Sequence, residues 1–509
     1  MAALTDEVSQ SAVAVAAVEP VDLTAGFVRD LEIQGEFWMT EQGISLDFAE
    51  KNGERLRFVA EDRSWIAWTG THWSEACAET LAERFYSELI AGTLQRAANA
   101  TSDKQRDALI DRARFMGKRG MRSNALALAQ PTLMISRTAF DRGAEDLLNT
   151  PSGIVDLRTG ELTPSDPARY LTRCTAVAYD PDATLPKRFG EIVTALAGED
   201  SETEAWLWRA IGYTLTGRVH EDSVFYLRGS GSNGKSTLLK ALAGVLGDYG
   251  HKIDIRYLTA GADQGHATEY AALRGKRLVF ASEVEKGQRL AISRLKDLTG
   301  GDVQAHRGMH QNAADAAVFA PECKVWLAGN HDLAVHGTDH GTWRRLRKIE
   351  SDKTFGHSSV RDSLLECEGA GILAYAVAAA STWYENGLGS TPQRVEDSTA
   401  AYRKAQDLLG QFFSDCLVFE PGANMTKYDF NGAYQTWLEE EGGDLRVGPR
   451  EMAQRLADRG VKPERTKNAR IWKGVRARTP ADFDGGEPAS PAGGLKKFAG
   501  FNNGRVSGG

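Results

Sequence analysis

Residues 229–236 have the residue types and spacing needed to bind the phosphates of a nucleotide. They match G-x-x-x-x-G-K-[ST], in which glycines let the backbone curl until several N–H groups point at phosphate oxygens. Lys235 would neutralise the β- and γ-phosphates, and the Ser236 hydroxyl would bind Mg²⁺. ATP and Mg²⁺ are therefore the predicted cofactors; the competing interpretation is a chance glycine-rich turn. The predicted nucleotide-binding residues are Gly229, Ser230, Gly231, Ser232, Asn233, Gly234, Lys235, Ser236 and Thr237.

The segments on either side of this motif predict the elements that position it. Residues 224–227 form a short apolar run typical of a buried strand. After the motif, Leu238, Leu242 and Leu246 recur at helical spacing until Gly247, a residue type that commonly ends helices. The predicted order is strand, loop, helix, and the N-terminus of that helix would add partial positive charge near a bound phosphate.

A carboxylate that activates water or holds the metal is expected after a second apolar run, residues 277–281. Glu283 is the candidate for both roles. Glu285 would lie on the same side of an extended chain and could act instead, and both acids could simply face water. Asn330 follows a third apolar run, 324–328, so its amide could contact the γ-phosphate or the attacking water.

Two arginines complete the predicted catalytic set. Arg344 and Arg345 follow a glycine-containing turn, and either could reach a nucleotide held by a neighbouring copy of the chain. An arginine supplied in this way accelerates phosphoryl transfer because it neutralises charge in the transition state. A solvated basic patch is the competing interpretation, and the sequence does not separate Arg344 from Arg345.

The three apolar runs predict an α/β core, because short buried runs between polar turns are typical of a sheet covered on both faces. Helices and short strands on either side predict additional domains. The predicted bounds are a flexible leader (1–25), an N-terminal α+β domain (26–190), an ATPase domain (191–352), a helical extension (353–408), a basic winged-helix-like domain (409–478) and a flexible tail (479–509).

Residues 446–478 reverse the overall charge of the chain. They hold eleven Lys or Arg against three acids, a local charge of +8, whereas the whole chain carries −8. Predicted helices at 428–441 and 449–459 and a two-stranded wing at 464–478 suit a winged helix that binds duplex DNA. A soluble basic face or a protein-docking surface are the alternatives. The predicted DNA contacts are Arg450, Arg455, Arg459, Lys467, Arg470 and Lys473.

Composition disfavours several classes of protein. Of the 509 residues, 42% are apolar and 26% charged, as in ordinary globular proteins. No uncharged apolar run approaches the roughly 18 residues that a membrane helix needs, so no membrane association is expected. Five widely spaced cysteines without a C-x-x-C pair disfavour a zinc site and a disulfide framework, and they favour a reducing cytoplasm.

Taken together, these motifs resemble superfamily 3 helicases, and their details are similar to the phage, plasmid and poxvirus primase-helicase branch. The resemblance implies a P-loop core of the AAA+ type. It also implies a homo-hexameric ring that hydrolyses ATP between subunits while translocating along single-stranded DNA at a fork. The segments that carry the resemblance are 229–237, 278–285, 295–302, 328–330 and 341–345, with further similarity at 147–160, 368–374 and 383–407.

The resemblance implies the roles given above for Lys235, Ser236, Glu283 and Asn330, and an arginine finger at Arg344 or Arg345. In relatives, the hairpin that follows the 295–302 segment faces the ring channel. This implies DNA contacts in the corresponding part of this chain, although histidines are as often structural groups. The residues concerned are Lys296, His306, Arg307 and His310.

Two departures from the family pattern limit what the resemblance implies. Ser282 stands where many P-loop ATPases have the first of two consecutive acids, which leaves Mg²⁺ to Ser236, phosphates and water. Many relatives also carry an N-terminal primase-polymerase domain, for which the residues before the resemblance leave no room. A primase or an origin-binding protein is therefore expected as a separate partner chain.

The expected function is an ATP-dependent DNA helicase that replicates a phage, plasmid or related mobile element in a bacterial cytoplasm. One alternative is a P-loop ATPase that acts in nucleic-acid sensing or defence without processive unwinding. Another is an origin-binding scaffold whose nucleotide controls oligomerisation.

Overall fold

The computed structural model describes residues 36–260, 267–284, 288–302, 304–306, 317–335, 340–355, 360–440, 447–466, 469–479 and 482. The chain divides into two compact units. The first comprises Met1–His331 and Arg345–Val395, and the second comprises Asp332–Arg344 and Glu396–Gly509. The predicted α+β domain and most of the predicted ATPase domain belong to the first unit. The predicted leader lies outside the described residues.

The first unit begins with helices packed on a small sheet whose strand order is β3-β2-β1-β4. Phe48, Tyr86 and Met116 are among the buried residues that join the helices to the sheet. The elements are α1 (Glu41–Asn52), β1 (Leu56–Val59), β2 (Ser64–Trp68), β3 (Trp73–Ser74), α2 (Ala78–Ala98), α3 (Asp103–Met116), α4 (Arg119–Ala129) and β4 (Met134–Ile135).

A three-stranded antiparallel sheet follows and connects this region to the rest of the unit. It consists of β5 (Leu147–Thr150), β6 (Gly153–Asp156) and β7 (Leu162–Thr163). Just before β5, the Asp146 carboxylate accepts hydrogen bonds from Arg158, Arg218 and Tyr384, at 2.6 to 3.0 Å. Arg158, Arg218 and Tyr384 lie 12, 72 and 238 positions from Asp146, so a single carboxylate joins several parts of the unit.

The centre of the first unit is a five-stranded parallel sheet of order β14-β8-β13-β10-β9, which agrees with the predicted α/β core. Short strands β11 and β12 form a separate antiparallel hairpin. The elements in chain order are α5 (Lys187–Leu196), α6 (Ser201–Leu215), β8 (Val224–Arg228), α7 (Lys235–Leu246), β9 (Gly250–Lys252), α8 (Ala267–Ala271), β10 (Leu278–Val284), α9 (Ile292–Thr299), β11 (Gln304–His306), β12 (Ala317–Phe319), β13 (Lys324–Gly329), β14 (Leu346–Glu350) and α11 (Val360–Asn386). The short helix α10 (His340–Trp343) comes between β13 and β14 in the chain but belongs to the second unit.

Apolar packing on both faces fixes this sheet. All six residues of β13 are buried, and Trp326 stacks on Phe225 of β8 with ring centroids 4.4 Å apart. Helices α5, α6, α7 and α11 cover one face and share one core with the strands. Where α6 crosses α11, a Cβ at Gly212 would lie 2.3 Å from the Ala379 carbonyl carbon, so only glycine permits this close approach.

The second unit contains a small helical domain with a three-stranded antiparallel sheet of order β15-β17-β16. Its core includes Phe412, Phe430, Trp437 and Trp472. The elements are α12 (Gln393–Gln406), which begins at the end of the first unit, α13 (Leu408–Cys416), β15 (Leu417–Thr426), α14 (Lys427–Glu440), α15 (Pro449–Ala457), β16 (Lys462–Arg465) and β17 (Arg470–Ala477).

Among the described residues, no helix is both long and apolar enough to cross a membrane.

Candidate functional site

The loop that joins β8 to α7 contains glycines, which leave its main-chain groups uncovered by side chains. Gly231 and Gly234 adopt positive φ angles of 114° and 78°, which glycine reaches without steric cost. A Cβ at Gly231 would meet nothing described within 4 Å, whereas one at Gly229 would lie 2.5 Å from the Ser351 carbonyl oxygen. Because α7 begins at Lys235, the first N–H groups of that helix have no intrahelical partner. The loop and helix start therefore offer donors for an anion, as the sequence motif predicts.

Asn233 holds this loop in shape. Its side-chain oxygen accepts the Gly231 N–H at 2.8 Å, and its amide nitrogen donates to the carbonyl oxygens of Ser351, at 3.3 Å, and Lys353. The side chain is only 2% exposed. Asn233 therefore fastens the loop to the chain segment that follows β14, and it does not point its polar atoms into solvent.

The Lys235 ammonium contacts neutral acceptors. Its Nζ atom donates to the Gly229 carbonyl oxygen and to the Asn233 side-chain oxygen, both at 3.0 Å. Burial lowers the pKa of Lys235, and the nearby Arg228 guanidinium lowers it further. A cation that is buried without a described carboxylate partner favours an incoming anion, because the anion would supply the missing charge compensation.

The predicted acid and sensor lie at the same edge of the sheet as the loop. Glu283 is in β10, where the register against β13 shifts between Ser282 and Val284. Asn330 directly follows β13 and is exposed, and the preceding Gly329 accepts the Gly229 N–H at 3.3 Å. The strands are parallel, so their carboxyl ends meet here and bring these predicted residues together. The Glu283 side chain and all of Glu285 lie outside what the structure describes.

The described groups fit a magnesium nucleotide. Ser236 is exposed in the first turn of α7, and Thr237 is half-buried beside it. The Ser282 hydroxyl, two residues before the end of β10, is buried without a described hydrogen-bond partner. The described side chains include no group of three or more His, Cys, Asp or Glu that could hold a metal. The predicted ligands of a cation here are Ser236 and Glu283 with phosphate oxygens and water, and the Glu283 side chain lies outside the described residues.

The two candidate finger arginines differ in environment. Arg344 is exposed. The Arg345 side chain is only 11% exposed and forms an ion pair with Asp222 at 3.1 Å. Arg345 immediately precedes β14, and its carbonyl oxygen accepts the N–H of Val224, the first residue of β8. It therefore lies at the sheet edge opposite to the glycine-rich loop of its own chain.

A cavity of about 980 Å³ lies beside the loop. Helices α5, α6 and α11 and the segment after β14 form its walls, with aromatic rings from Trp208, Phe355 and Tyr375. The Phe355 N–H donates to the Ser232 carbonyl oxygen at 2.6 Å, so one wall of the cavity is bonded directly to the loop. An aromatic cavity next to the glycine-rich loop suits the nucleoside of the predicted nucleotide.

The other predicted DNA contacts of the first unit surround a hairpin. Lys296 is half-buried on α9. His306 ends β11 and pairs with Ala317 of β12, as the predicted hairpin requires. Arg307 and His310 lie outside the described residues. Whether this hairpin binds DNA stays a prediction.

The predicted DNA contacts of the second unit fall into two groups. Arg450, Arg470 and Lys473 are exposed, although Lys473 also pairs with Glu464 at 3.3 Å. Arg455 is half-buried and held in an ion pair with Asp407, whereas Arg459 is exposed but lies over the Phe413 ring, 4.9 Å from its centroid. Lys467 lies outside the described residues. Arg450, Arg470 and Lys473 are therefore better placed to meet phosphates than the ion-paired Arg455.

Sequence reasoning missed the segment 351–355, which bonds to the loop through Asn233 and Ser232. It also missed the Asp146 cluster. Neither carries a sequence motif. The loop contacts join residues more than a hundred positions apart, and the partners of Asp146 lie 12, 72 and 238 positions from it. The departure at Ser282 was visible in the sequence, but its buried, unpaired hydroxyl was not.

Two sequence families match parts of the chain. Residues 47–195 match the family described as D5 N terminal like. Residues 227–345 match a family of unknown function, DUF5906. The second match contains the glycine-rich loop, Glu283, Asn330 and both candidate finger arginines.

Curated relatives carry names from replication. The chain is 28% identical over 344 residues to a candidate primase of African swine fever virus, covering 61% of this chain and 35% of the relative. It is 26% identical over 297 residues to a candidate helicase of Acanthamoeba polyphaga mimivirus, covering 53% of this chain and 30% of the relative. The chain thus spans about a third of the length of these relatives. These similarities relate it to viral primases and helicases.

Among solved structures, the apo C-terminal region of NrS-1 (305–718) aligns over 83% of this chain and 88% of that chain. The TM-score is 0.45 and the sequence identity is 10%.

Proposed function

We propose that the protein is an ATP-dependent DNA helicase that acts in replication. The observation that carries the proposal is the buried Lys235 ammonium, held by neutral acceptors in a glycine-rich loop at the carboxyl edge of a parallel sheet. The relationship to viral primases and helicases supports a role in replication. The superfamily 3 assignment and a homo-hexameric ring around single-stranded DNA come from the resemblance of the sequence motifs alone, and they are part of the proposal.

In this proposal the chain's own groups bind and orient a nucleotide. The loop N–H groups and Lys235 hold the β- and γ-phosphates, and the Ser236 hydroxyl binds Mg²⁺. Glu283 orients the attacking water and contributes to the metal site, while Asn330 contacts the γ-phosphate. ATP with Mg²⁺ supplies the phosphoryl group and the charge neutralisation that its transfer needs. The aromatic cavity beside the loop accommodates the nucleoside.

Arg344 acts as the finger that a neighbouring copy presents to the nucleotide. Its exposure supports this choice, whereas the ion pair between Arg345 and Asp222 holds Arg345 within its own subunit. An arginine delivered between subunits makes hydrolysis depend on assembly, which suits a ring motor.

The second unit binds duplex DNA as a winged helix. The element order α13, β15, α14, α15, β16, β17 with sheet order β15-β17-β16 supports that fold. In it α15 would enter a major groove with Arg450, while Arg470 and Lys473 on the wing would hold phosphates. Lys296 and the β11–β12 hairpin would contact the single strand. A separate primase or origin-binding protein would complete the replication assembly.

Strand displacement on a forked DNA, measured together with DNA-stimulated ATP hydrolysis, tests the proposal. The wild-type protein should displace the strand and hydrolyse ATP. Lys235→Ala should lose both activities. Lys240→Ala, which removes a lysine from a later turn of the same helix, should retain both activities. Hydrolysis without displacement would favour the sensing or defence ATPase. It would contradict the helicase assignment while leaving the nucleotide site intact.

An origin-binding scaffold is a second candidate because the exposed cations of the second unit suit DNA binding without any motor. Glu283→Gln separates the two functions, because the variant should bind nucleotide but not hydrolyse it. A scaffold should keep its activity in replication with this variant, whereas a helicase should lose it.

A further inference from the structure

The hydroxyl of Ser282 is in an unusual environment. The residue is only 5% exposed, and its Oγ atom has no hydrogen-bond partner in the described part of the chain. Most buried polar side chains in proteins are hydrogen-bonded, because a hydroxyl that loses water without gaining a partner destabilises the fold. Because no described residue bonds this hydroxyl, it is available to a group that binds at this edge of the sheet.

The strand pattern places this hydroxyl on the nucleotide face of the sheet. Side chains alternate along β10, so Ser282 shares a face with Phe280. Phe280 packs in the same core as Leu238 and Leu239 of α7, the helix that begins at the glycine-rich loop. Ser282 is two residues nearer to the carboxyl edge, where α7 begins.

The neighbouring strand confirms the same position. Ser282 is opposite Ala328 in the register of β10 against β13. The next residue of β13, Gly329, accepts the Gly229 N–H at 3.3 Å. Ser282 therefore lies two residues before the end of β10, opposite the residue that precedes the point where β13 meets the loop.

A neutral hydroxyl at this position can make hydrogen bonds near a metal ion but cannot neutralise the charge of the metal. Many P-loop ATPases use a carboxylate at the end of this strand to hold Mg²⁺. A serine hydroxyl cannot supply that charge, but it can accept a hydrogen bond from a water bound to the metal and donate to a phosphate oxygen. Such outer partners fix the orientation of metal-bound groups and tune the affinity for the metal.

We propose that the Ser282 hydroxyl accepts a hydrogen bond from a water molecule bound to Mg²⁺ and so positions the metal on the nucleotide. The inference rests on the proposed nucleotide site and assigns a positioning role to one more residue in it. Ser282 touches neither the metal nor the reacting phosphate in this arrangement. It acts through the water and therefore affects Mg²⁺ dependence more than nucleotide affinity as such.

Magnesium titration of nucleotide binding tests the assignment on the full-length chain. A fluorescent ATP analogue is bound first in EDTA and then at increasing Mg²⁺, so that the half-saturating Mg²⁺ concentration is measured without turnover. Ser282→Ala should raise that concentration by about tenfold, the lower end for loss of an outer metal partner, and should leave binding in EDTA unchanged. Ser282→Thr, which keeps the hydroxyl, should remain close to wild type.

Two further variants make the result specific. Ser282→Asp supplies the carboxylate found in other P-loop ATPases and should lower the half-saturating Mg²⁺ concentration. Ser223→Ala removes another buried hydroxyl, one that donates to the Glu221 carbonyl oxygen at 2.9 Å, and should leave the titration unchanged. Melting temperatures without nucleotide show whether each variant is folded.

The outcomes separate this inference from the proposed function. If wild type binds the analogue with a clear Mg²⁺ dependence and Ser282→Ala gives the same curve, Ser282 has no role in positioning the metal. If wild type does not bind the analogue at all, the nucleotide site itself is wrong. An equal loss of binding in EDTA and in Mg²⁺ for folded Ser282→Ala would also overturn the inference.

Discussion

The ammonium nitrogen of Lys235 lies 3.0 Å from the side-chain oxygen of Asn233. The same oxygen accepts the Gly231 N–H, while the Asn233 amide nitrogen donates to main-chain carbonyls beyond β14. One side chain therefore links Lys235, the proposed phosphate-binding residue, to the loop and to a distant segment. If a phosphate drew the ammonium away from Asn233, the bonds to that segment would still hold the loop.

The Asn233 side chain should be required for tight nucleotide binding. Asn233→Ala removes the loop's attachment to Ser351 and Lys353, and we expect ATP affinity to fall about tenfold, as for the loss of a buried hydrogen-bonded group. Asn233→Asp should be worse because its carboxylate would pair with Lys235 and repel phosphates. Isothermal titration calorimetry gives the affinities. Asn386→Ala, at the end of α11, is the control, and an unchanged affinity in Asn233→Ala would contradict the role.

Nucleotide binding should weaken at alkaline pH. Burial, with a smaller contribution from Arg228, lowers the pKa of Lys235, so the ammonium loses its proton at lower pH than an exposed lysine does. Bound phosphate favours the charged form, so binding should be constant below the lowered pKa. Above it, binding should weaken and be accompanied by proton uptake. Calorimetry in buffers of different ionisation enthalpy detects the uptake. A wild-type profile that stays flat up to the ordinary pKa of an exposed lysine, about 10.4, would contradict the prediction.

The sequence predicted the glycine-rich loop and its flanking elements because their chemistry is local. The predicted strand at 224–227 corresponds to β8, and the leucines after Lys235 belong to α7. The predicted helices at 428–441 and 449–459 likewise correspond closely to α14 and α15. Each of these segments contains its own periodicity and its own start or stop signal.

What the sequence missed depends on contacts between distant residues. Strand β15 contains Pro421 and Gly422, which argue against a strand, yet it pairs with β17 across a register shift between Phe419 and Asn424. The bonds from Asn233 to residues beyond β14 cross more than a hundred positions. The preference for Arg344 over Arg345 also required the structure, because only the fold brings Asp222 to Arg345.

The Asp146 carboxylate should stabilise the first unit in a pH-dependent way. Hydrogen bonds from Arg218, and then from Tyr384 and Arg158, lower the pKa of Asp146 despite partial burial. Asp146→Asn should lower the free energy of unfolding by about 2 kcal/mol at neutral pH, because the charged donors lose their anionic partner. Denaturant unfolding at pH 7 measures this loss.

The pH dependence follows from the sign of that shift. A carboxyl whose pKa is lower in the folded chain contributes its full stability above the unfolded value of about 3.9. The contribution is lost as the pH falls from there through the folded pKa. The difference between wild type and Asp146→Asn should therefore shrink on acidification below about pH 4. A difference that stays constant down to pH 2 would show that Asp146 acts through packing instead of charge.

Arg344 and Arg345 should have separable effects. Arg344→Ala should lower ATP hydrolysis by about 10³-fold, as expected for loss of an arginine finger, and should lower the melting temperature less than Arg345→Ala because Arg344 is exposed. Arg345→Ala should lower the melting temperature because it removes the ion pair with the partly buried Asp222.

Mixing experiments show whether the finger acts between subunits. Inactive Arg344→Ala chains mixed with wild type should reduce activity more than in proportion to their fraction, since each variant chain also disables a neighbour's site. A strictly proportional decrease would mean that every subunit hydrolyses ATP alone. Arg347→Ala, a nearby arginine in β14, is the matched control for loss of a positive charge.

The exposed cations of the second unit should set the salt dependence of duplex DNA binding. Arg450 lies on α15 and Arg470 at the start of β17, and both are exposed. Since each phosphate contact contributes about 0.9 to the slope of log K against log salt, replacing both with alanine should make the slope shallower by about two. Arg455→Ala should leave the slope unchanged, because that guanidinium is already paired with Asp407.

Fluorescence anisotropy of labelled duplex between 50 and 200 mM salt, roughly the range over which such binding changes most, measures both slopes. A larger effect from Arg455 than from Arg450 and Arg470 together would show that the DNA lies on a different face of the unit.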